Sequence, residues 1–231
     1  MAHECHIVVF ASGNGSNFQA LIDALSSKQF PSARITRLIV NRKKAYAVTR
    51  AEKAGIPWEY FNLISNGFQR AGDKDPQHIK EAREKYDAAL GDLVLALEER
   101  PQLIVLAGWM HIFSRAFLDK VKGEGIEIIN LHPALPGKYD GADAIERAYE
   151  DFVAGKLENN RTGIMIHHVI DEVDRGDPIM TREIPLEQGE TLDQVKEKIH
   201  AHEHELLVEA TAQVVKGILQ GSELHLETEK Q

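Results

Sequence analysis

The feature that most constrains the fold is an uninterrupted apolar run at residues 5–11, CHIVVFA, which leads directly into a glycine-rich turn. A run without polar alternation predicts a strand that is covered on both faces, as in a parallel sheet flanked by helices. After the turn, apolar residues recur at helical spacing from about Asn17 to Lys28. The chain therefore opens with a strand, a tight turn and an amphipathic helix.

The same pattern of strand followed by helix repeats along the chain. Asp75-Pro76 opens a long helix, because Pro is well suited to the first helical position, and Arg100-Pro101 ends it. This alternation predicts an α/β fold with a doubly wound, mostly parallel sheet. Strands are predicted at 35–40, 58–61, 102–107 and 126–131, helices at 45–54, at 75–100 and after Ser114, and a loop at 62–75.

The pattern changes after about residue 160. Residues 163–170 and 178–184 are predicted to be strands, and the short connection between them predicts an antiparallel hairpin. Thr191 is a suitable N-cap for a long final helix with an apolar stripe. A C-terminal antiparallel hairpin and a long last helix are therefore expected to complete the fold.

Charge and composition disfavour several classes of protein. A formal net charge of −9 without a sustained Lys/Arg stripe argues against a nucleic-acid binder. No apolar run approaches the roughly 18–20 residues that cross a bilayer, and the first residues do not resemble a secretory signal. The single cysteine, Cys5, cannot form an intrachain disulfide and favours a reducing compartment. A cytoplasmic enzyme is expected.

The turn at residues 12–17, SGNGSN, is a candidate anion site. Its glycines permit positive φ and close backbone approach, so that several N–H groups can face one anion at a helix N-terminus. It begins like a dinucleotide fingerprint, but Phe18 replaces the third glycine and no carboxylate follows the second strand. NAD is therefore disfavoured, whereas NADP, a terminal monophosphate and a plain tight turn with an N-cap remain open.

Asn130 and His132 form a second candidate site at the C-terminal end of a late strand. The two-residue period of a strand puts them on the same face, at the edge where open α/β sheets bind ligands. An amide and an imidazole there could stabilise a carbonyl oxygen as it becomes an oxyanion. A purely structural histidine is the alternative.

The hairpin connection DEVDRG, residues 171–176, is a third candidate. Acidic residues and glycine are common in turns, so a structural role accounts for each of them. A carboxylate beside an active-site histidine would instead favour the imidazolium. The sequence alone leaves open whether the two meet.

Other reactive residues lack a recognisable setting. His200, His202 and His204 lie on the last predicted helix, but without HExxH or a Cys pair no metal is expected. His167 and His168 are expected on opposite faces of a strand. A Ser or Cys nucleophile is not expected, since G-x-S-x-G is absent and Cys5 lies in a buried strand.

Taken together and in this order, the motifs resemble the phosphoribosylglycinamide formyltransferase family over about Ile7 to Val215. The PALPG form and the long 62–85 region are more like the fungal branch than the bacterial one. The resemblance implies a Rossmann-like formyltransferase fold in one domain, 1–221, with a phosphate-binding half to about residue 110, a folate and catalytic half from 111, and a frayed tail at 222–231. The stretches that carry it are SGNGSNFQALID, VLAGWMHIFS, NLHPALPG, GIMIHHVIDEVDRGDPI and HEHELLVEA.

The resemblance also implies roles for individual residues. His111 is a departure, since it stands where the bacterial and animal enzymes tend to have Arg, and a side-chain contact there need not be shared. The implied catalytic residues are Asn130, His132 and Asp174; those for the ribonucleotide are Gly15, Ser16, Asn17 and Glu203; those for the folate are Arg83, Met110, His111, Ile112, Phe113, Asn130, Ile170, Asp171 and Asp174.

The implied reaction transfers the formyl group of 10-formyltetrahydrofolate to the amine of glycinamide ribonucleotide, a step of de novo purine synthesis. The amine attacks the formyl carbon directly, with no metal and no covalent enzyme intermediate. His132, kept protonated by Asp174, and Asn130 would stabilise the oxyanion. These two small molecules are the expected partners, with no nucleic acid or membrane, and a monomer or weak homodimer is expected.

Four other functions share parts of the pattern. A methionyl-tRNA formyltransferase normally carries an additional RNA-binding domain, and a formyltetrahydrofolate hydrolase would have little use for the 12–17 loop. An NADP-dependent oxidoreductase would leave Asn130, His132 and Asp174 unexplained. A non-catalytic nucleotide-binding module is the remaining alternative, which an assay of turnover would distinguish.

Overall fold

The computed structural model describes residues 4–27 and 32–228. The chain forms two compact units. The first contains the residues through Ile128 and those from Ala212 onward, and the second contains Ile129–Thr211. The assignment of residues 1–221 to one domain with halves meeting near residue 110 remains a prediction.

The first unit contains the parallel part of the fold. Its first four strands follow the order β3-β2-β1-β4, and each strand in this order is parallel to its neighbour. Strands β2 and β3 lie on one side of β1, and β4 lies on the other side. The order in which successive strands are added to the sheet therefore reverses between β1 and β4. The elements are β1 (Cys5–Ala11), α1 (Ser16–Ser26), β2 (Ala33–Val40), α2 (Ala47–Ala54), β3 (Trp58–Tyr60), α3 (Pro76–Leu95), β4 (Leu103–Leu106) and α4 (Arg115–Lys122).

Helix α3 begins as predicted but ends earlier. The Asp75 side chain accepts hydrogen bonds from the N–H groups of Gln77 and His78, and Pro76 occupies the first turn. The predicted end at Arg100 is wrong, since the helix ends at Leu95. The residues beyond it make ion pairs with other segments instead: Glu99 with Arg34, and Arg100 with Glu124.

The second unit carries the antiparallel part. Strand β5 (Glu127–His132) begins in the first unit, and from Ile129 it pairs with β6 (Arg161–His168), which pairs with β7 (Pro178–Pro185). Both pairings are antiparallel, so the predicted hairpin is confirmed. With parallel strands β1–β4 flanked by helices, the predicted fold class is confirmed.

Two helices complete the described chain. Helix α5 (Ala144–Val153) was not predicted from the sequence, although Ala144, Ile145 and Ala148 are buried at helical spacing. Helix α6 (Leu192–Thr228) begins after Thr191, whose hydroxyl accepts a hydrogen bond from the N–H of Gln194 at 3.3 Å, as a cap does. It takes in residues 222–228 of the predicted tail, and residues 229–231 lie outside the described residues.

The turn between β6 and β7 brings two backbone segments unusually close. A register shift follows Ile166, and the His168 N–H donates to the Asp177 carbonyl at 3.0 Å. Gly176 is buried beside the strand at this register shift, and a Cβ placed on Gly176 would overlap the carbonyl oxygen of His168. The turn therefore requires glycine at this position because the backbone of β6 occupies the space.

Gly176→Ala is expected to lower the free energy of unfolding by about 1–3 kcal/mol, because overpacking forces the backbone to move. Gly217→Ala is the control: this glycine lies on α6, and a Cβ added to it would meet nothing within 4 Å, so alanine there should stabilise by up to about 1 kcal/mol. Urea denaturation of both variants measures the difference. Equal stabilities would contradict the steric requirement at Gly176.

Candidate active site

The carboxylate of Asp174 is the centre of a polar cluster in the second unit. One oxygen, Oδ2, lies 3.2 Å from Nδ1 of His132 and accepts a hydrogen bond from the N–H of Gly141 at 2.8 Å. The other, Oδ1, accepts from Nδ2 of Asn130 at 3.3 Å. The structure thus brings together the three residues to which the sequence assigns catalysis. Their catalytic roles remain predictions.

His132 is held on both sides of its ring. It lies at the end of β5, is only 3% exposed, and its Nε2 is 3.1 Å from the carbonyl oxygen of Lys138. Its two ring nitrogens therefore face a carboxylate and a carbonyl, both of which accept hydrogen bonds. Only the imidazolium can donate to both at once.

His167 is a member of the cluster that the sequence analysis did not assign to the site. It pairs with Asn130 across the β5–β6 ladder and is 2% exposed. Its Nδ1 lies 2.9 Å from the carbonyl of His168, so Nδ1 carries a proton. Its Nε2 lies 3.1 Å from Nδ2 of Asn130 and 3.5 Å from Oδ1 of Asp174, so Nε2 accepts from Asn130 when the ring is neutral and donates to Asp174 when the ring is protonated. The expected placement of His167 and His168 on opposite faces left open which ring is inward, and the pairing of His167 with Asn130 on β5 is the information that the sequence lacks.

The hydrogen bonds of Asn130 affect its predicted role. Both hydrogens on Nδ2 are engaged, one by Nε2 of His167 and one by Oδ1 of Asp174. Asn130 can therefore donate to a developing oxyanion only after a half-turn of its carboxamide. That turn would leave Oδ1 facing both Nε2 of His167, which must then carry a proton, and the carboxylate of Asp174, to which an amide oxygen cannot donate.

The surroundings of Asp174 keep its carboxyl ionised. Burial alone would raise its pKa, but the hydrogen bond with His167, the N–H of Gly141 and the adjacent His132 and His167 rings together lower the pKa below its usual value. The residue has a positive φ of 56°, which an aspartate tolerates better than most side chains. The turn thus presents the carboxylate at some cost in backbone conformation.

In the first unit, residues 12–15 connect β1 to α1, and Ser16 and Asn17 are the first two residues of α1. Gly15 is the N-cap of α1 with φ of 74°, and a Cβ on it would lie 2.7 Å from the Cβ of Ala47. The N–H of Ser12 donates to the Gly108 carbonyl at 3.0 Å, and its hydroxyl accepts from the N–H of Met110 at 2.8 Å. The turn is therefore tied to the segment that follows β4, at the point where the strand order reverses and α/β proteins bind ligands.

A family model described as formyl transferase matches residues 5–211. The chain belongs to the formyl transferase family. The predicted resemblance and the enzyme class inferred from it are confirmed.

Relatives of this formyltransferase share nearly the full length of the chain. It is 43% identical to phosphoribosylglycinamide formyltransferase of Schizosaccharomyces pombe over 90% of this chain and 96% of the relative. The enzyme of that name from Escherichia coli is 32% identical, covering 86% of this chain and 82% of the relative. The expected likeness to the fungal branch is confirmed by this difference.

Solved structures agree with the fold. Glycinamide ribonucleotide transformylase 1 from Geobacillus kaustophilus superposes with a TM-score of 0.75 at 29% identity, covering 92% of this chain and all of that one. Phosphoribosylglycinamide formyltransferase from Bacillus halodurans gives 0.74 at 27% identity, covering 91% and 95%. None of the helices described for this formyltransferase is long and apolar enough to cross a membrane.

The formyltransferase segment predicted to bind folate, residues 110–113, has two kinds of side chain. Met110 and Ile112 are 70% and 58% exposed. Phe113 is buried and stacks on Phe117 with ring centroids 4.1 Å apart. An apolar pair thus faces outward on a support of aromatic core residues, so Phe113 is suited to shaping the segment rather than to broad contact with a ligand.

His111, predicted to stand where the bacterial and animal enzymes tend to have Arg, has a side-chain partner of its own. Its Nε2 lies 2.6 Å from Oδ1 of Asp87, a fully buried carboxylate on α3, whose Oδ2 accepts from the N–H of Ser114 at 2.6 Å. Asp87 therefore fixes both ends of the short stretch that contains Ile112. Asp87 was not predicted as a site residue, since its partners lie more than twenty residues away in the chain.

The remaining predicted residues occupy varied environments. Arg83 is exposed on α3, and Glu203 is buried on α6. Ile170 is half-buried and Asp171 exposed in the connection between β6 and β7. Burial, and to a lesser extent Glu4, raises the pKa of the Cys5 thiol to about 12, which makes it a poor nucleophile.

The described histidines of α6, namely His200, His202 and His204, belong to no group of candidate metal ligands. Within residues 4–27 and 32–221, no three His, Cys, Asp or Glu side chains are grouped as metal ligands would be. Nδ1 of His202 instead lies 3.5 Å from a guanidinium nitrogen of Arg182 on β7.

Asp174→Asn should reduce kcat/KM by about 100-fold or more, because the variant loses the charge that faces His132 while keeping the side chain's size. Asp177→Asn is the control, since this exposed carboxylate lies in the same turn outside the cluster. A spectrophotometric assay of formyl transfer measures both. Near-normal turnover in Asp174→Asn would make Asp174 an ordinary turn residue.

Asp174 should also contribute to the dependence of stability on pH. Since its pKa in the folded protein is below the usual 3.8, its stabilisation is fully present above that value and is lost as the pH falls through the lowered pKa. The difference in free energy of unfolding between wild type and Asp174→Asn should therefore narrow below pH 3.8. Denaturant titrations from neutral to acid pH measure this, and a difference that widens in acid would contradict it.

Proposed function

We propose that this formyltransferase transfers the formyl group of 10-formyltetrahydrofolate to the amine of glycinamide ribonucleotide. The observation that carries the proposal is that one chain combines a turn suited to a monophosphate with the Asn130–His132–Asp174 cluster. The names of the fungal and bacterial relatives support the same substrate.

The phosphate is assigned to the turn at residues 12–17. Glycine at position 15 allows the backbone to approach an anion closely, and the turn opens α1, whose N-terminus favours negative charge. Gly15, Ser16 and Asn17 are the proposed phosphate ligands. Glu203 is proposed to contact the ribonucleotide through its carboxylate.

The folate is assigned to residues 110–113 with Ile170, Asp171, Asp174 and Arg83. Exposed apolar side chains are suited to the flat faces of a pterin ring, and this short segment supplies two of them, Met110 and Ile112. Asp171 supplies an exposed acceptor in its segment. Arg83 is a cation that could pair with the carboxylates of the glutamate tail.

The cluster around Asp174 is proposed to stabilise the transition state. The amine nitrogen forms a bond to the formyl carbon, and the carbonyl electrons move onto oxygen. When this oxyanion collapses, the bond from the formyl carbon to the folate nitrogen breaks, and the proton released by the amine is transferred to that nitrogen through water. The His132 imidazolium, balanced by Asp174, and Asn130 stabilise the oxyanion electrostatically.

The hydrogen bond between His132 and Lys138 has a consequence for this role. Nε2 of His132 points at the Lys138 carbonyl, and Nδ1 points at Asp174. To donate directly to the oxyanion, the ring must exchange the Lys138 carbonyl for the substrate oxygen.

The cytoplasmic location and the monomeric or weakly dimeric state remain predictions.

Turnover should require the phosphate of the acceptor. Glycinamide ribonucleotide should be formylated at a kcat/KM at least about 100-fold above that of the dephosphorylated riboside, since the charge-assisted hydrogen bonds of the turn are lost. Formation of tetrahydrofolate and of the formamide is measured together. Equal rates with the riboside would overturn the assignment, and tetrahydrofolate formed without any formamide would indicate a hydrolase.

A further inference from the structure

The carbonyl groups of Gly13 and Asn14 in the phosphate turn both face protein donors. The Gly13 carbonyl accepts from the N–H of Ala47 at 3.2 Å, at the start of α2, and the Asn14 carbonyl accepts from Nε of Arg50 at 3.0 Å. In a trans peptide the N–H of the next residue points opposite to the carbonyl. The amides of Asn14 and Gly15 therefore point away from α2.

Arg50 is the side chain of α2 that holds the turn. Besides the Asn14 carbonyl, its guanidinium donates to Oδ1 of Asn14 at 2.9 Å and to Oε1 of Gln19 at 3.1 Å. It also lies over the ring of Tyr46, 5.1 Å from the centroid, which limits its rotation. One half-buried side chain thus joins α2, the turn and α1.

The contact between α2 and the turn leaves no room for a side chain at Gly15. A Cβ on Gly15 would lie 2.7 Å from the Cβ and 2.9 Å from the Cα of Ala47. Because the backbone of the turn rests directly on α2, a guanidinium fixed on α2 sets the direction of the Asn14–Gly15 peptide. A charged donor on that carbonyl also polarises the peptide, which makes the Gly15 N–H a stronger donor.

We propose that Arg50 is a positioning residue for the phosphate turn, which acts through Asn14 and Gln19 and sets the affinity for the phosphorylated acceptor. It holds the turn in the form whose amides face the anion, without being a ligand of the phosphate itself. This inference rests on the proposed function, since it assumes that the turn binds the phosphate of the acceptor.

The fork geometry of arginine is central to the role. Three acceptors from two residues surround one planar group, and a lysine ammonium cannot reach all three in the same directions. Arg50→Lys therefore keeps the charge and loses the geometry, whereas Arg50→Met loses both. Arg42→Met is the matched control, because Arg42 is an exposed cation just beyond β2 and has no assigned part in the site.

The test compares KM for each substrate, kcat and stability in the three variants. Arg50→Met should raise the KM for glycinamide ribonucleotide at least about tenfold, with the KM for 10-formyltetrahydrofolate and kcat within about twofold. Arg50→Lys should keep most of that increase, and Arg42→Met should change neither KM by more than about twofold. Circular dichroism and urea denaturation establish that each variant is folded.

Several results would overturn the inference. An unchanged acceptor KM in folded Arg50→Met would show that Arg50 has no role in phosphate binding. A wild-type acceptor KM in Arg50→Lys would show that the charge of Arg50, and not its geometry, determines the affinity for the acceptor. Equal increases in both KM values, or the same effect in Arg42→Met, would indicate a general structural or electrostatic effect.

Inorganic phosphate separates this inference from the proposed function. Phosphate should raise the melting temperature of the wild type more than that of Arg50→Met, whichever amine is the true acceptor. If the acceptor proves unphosphorylated but this difference in protection remains, the proposed function fails and the role of Arg50 stands. If phosphate protects both proteins equally, the role of Arg50 fails.

Discussion

The candidate site depends on the hydrogen bonds and ion pairs made by the carboxylate of Asp174. It is held by a main-chain N–H from the loop after β5 and by side chains from β5 and β6, so three segments of the second unit converge on one charge. Such a group is costly to bury alone, because desolvation opposes ionisation. The hydrogen bonds and histidines around it outweigh that cost, and the same contacts fix the directions of His132 and Asn130.

The first unit holds the turn that is proposed to bind phosphate by pairing two of its carbonyl groups with donors on α2. Its phosphate turn directs the carbonyls of Gly13 and Asn14 towards α2 and ties Ser12 to the backbone after β4. Rigid elements on each side thus determine the shape of a loop that has little structure of its own. A binding loop held in this way loses little conformational entropy when its ligand arrives.

Local patterns predicted much of this structure, and long-range contacts account for what they missed. The continuous apolar run at residues 5–11 predicted β1, and apolar-rich stretches predicted β2 and β4. Asp75 and Thr191 marked helix starts, and strand alternation placed Asn130 and His132 together. The predicted end of α3 was wrong: the helix ends at Leu95, and Glu99 and Arg100 make ion pairs with residues distant in the chain, which local periodicity does not indicate. His167, Asp87 and Arg50 were not assigned because their partners lie far along the chain, or across a turn whose form the sequence does not specify.

The buried pair of Asp87 and His111 constrains how this protein can vary. With its carboxylate fully enclosed, Asp87 requires a donor from position 111, which His111 provides. An apolar residue at 111 would leave a buried charge that depends on the Ser114 N–H. The two positions should therefore covary among related sequences: where residue 87 is not acidic, residue 111 should not be basic.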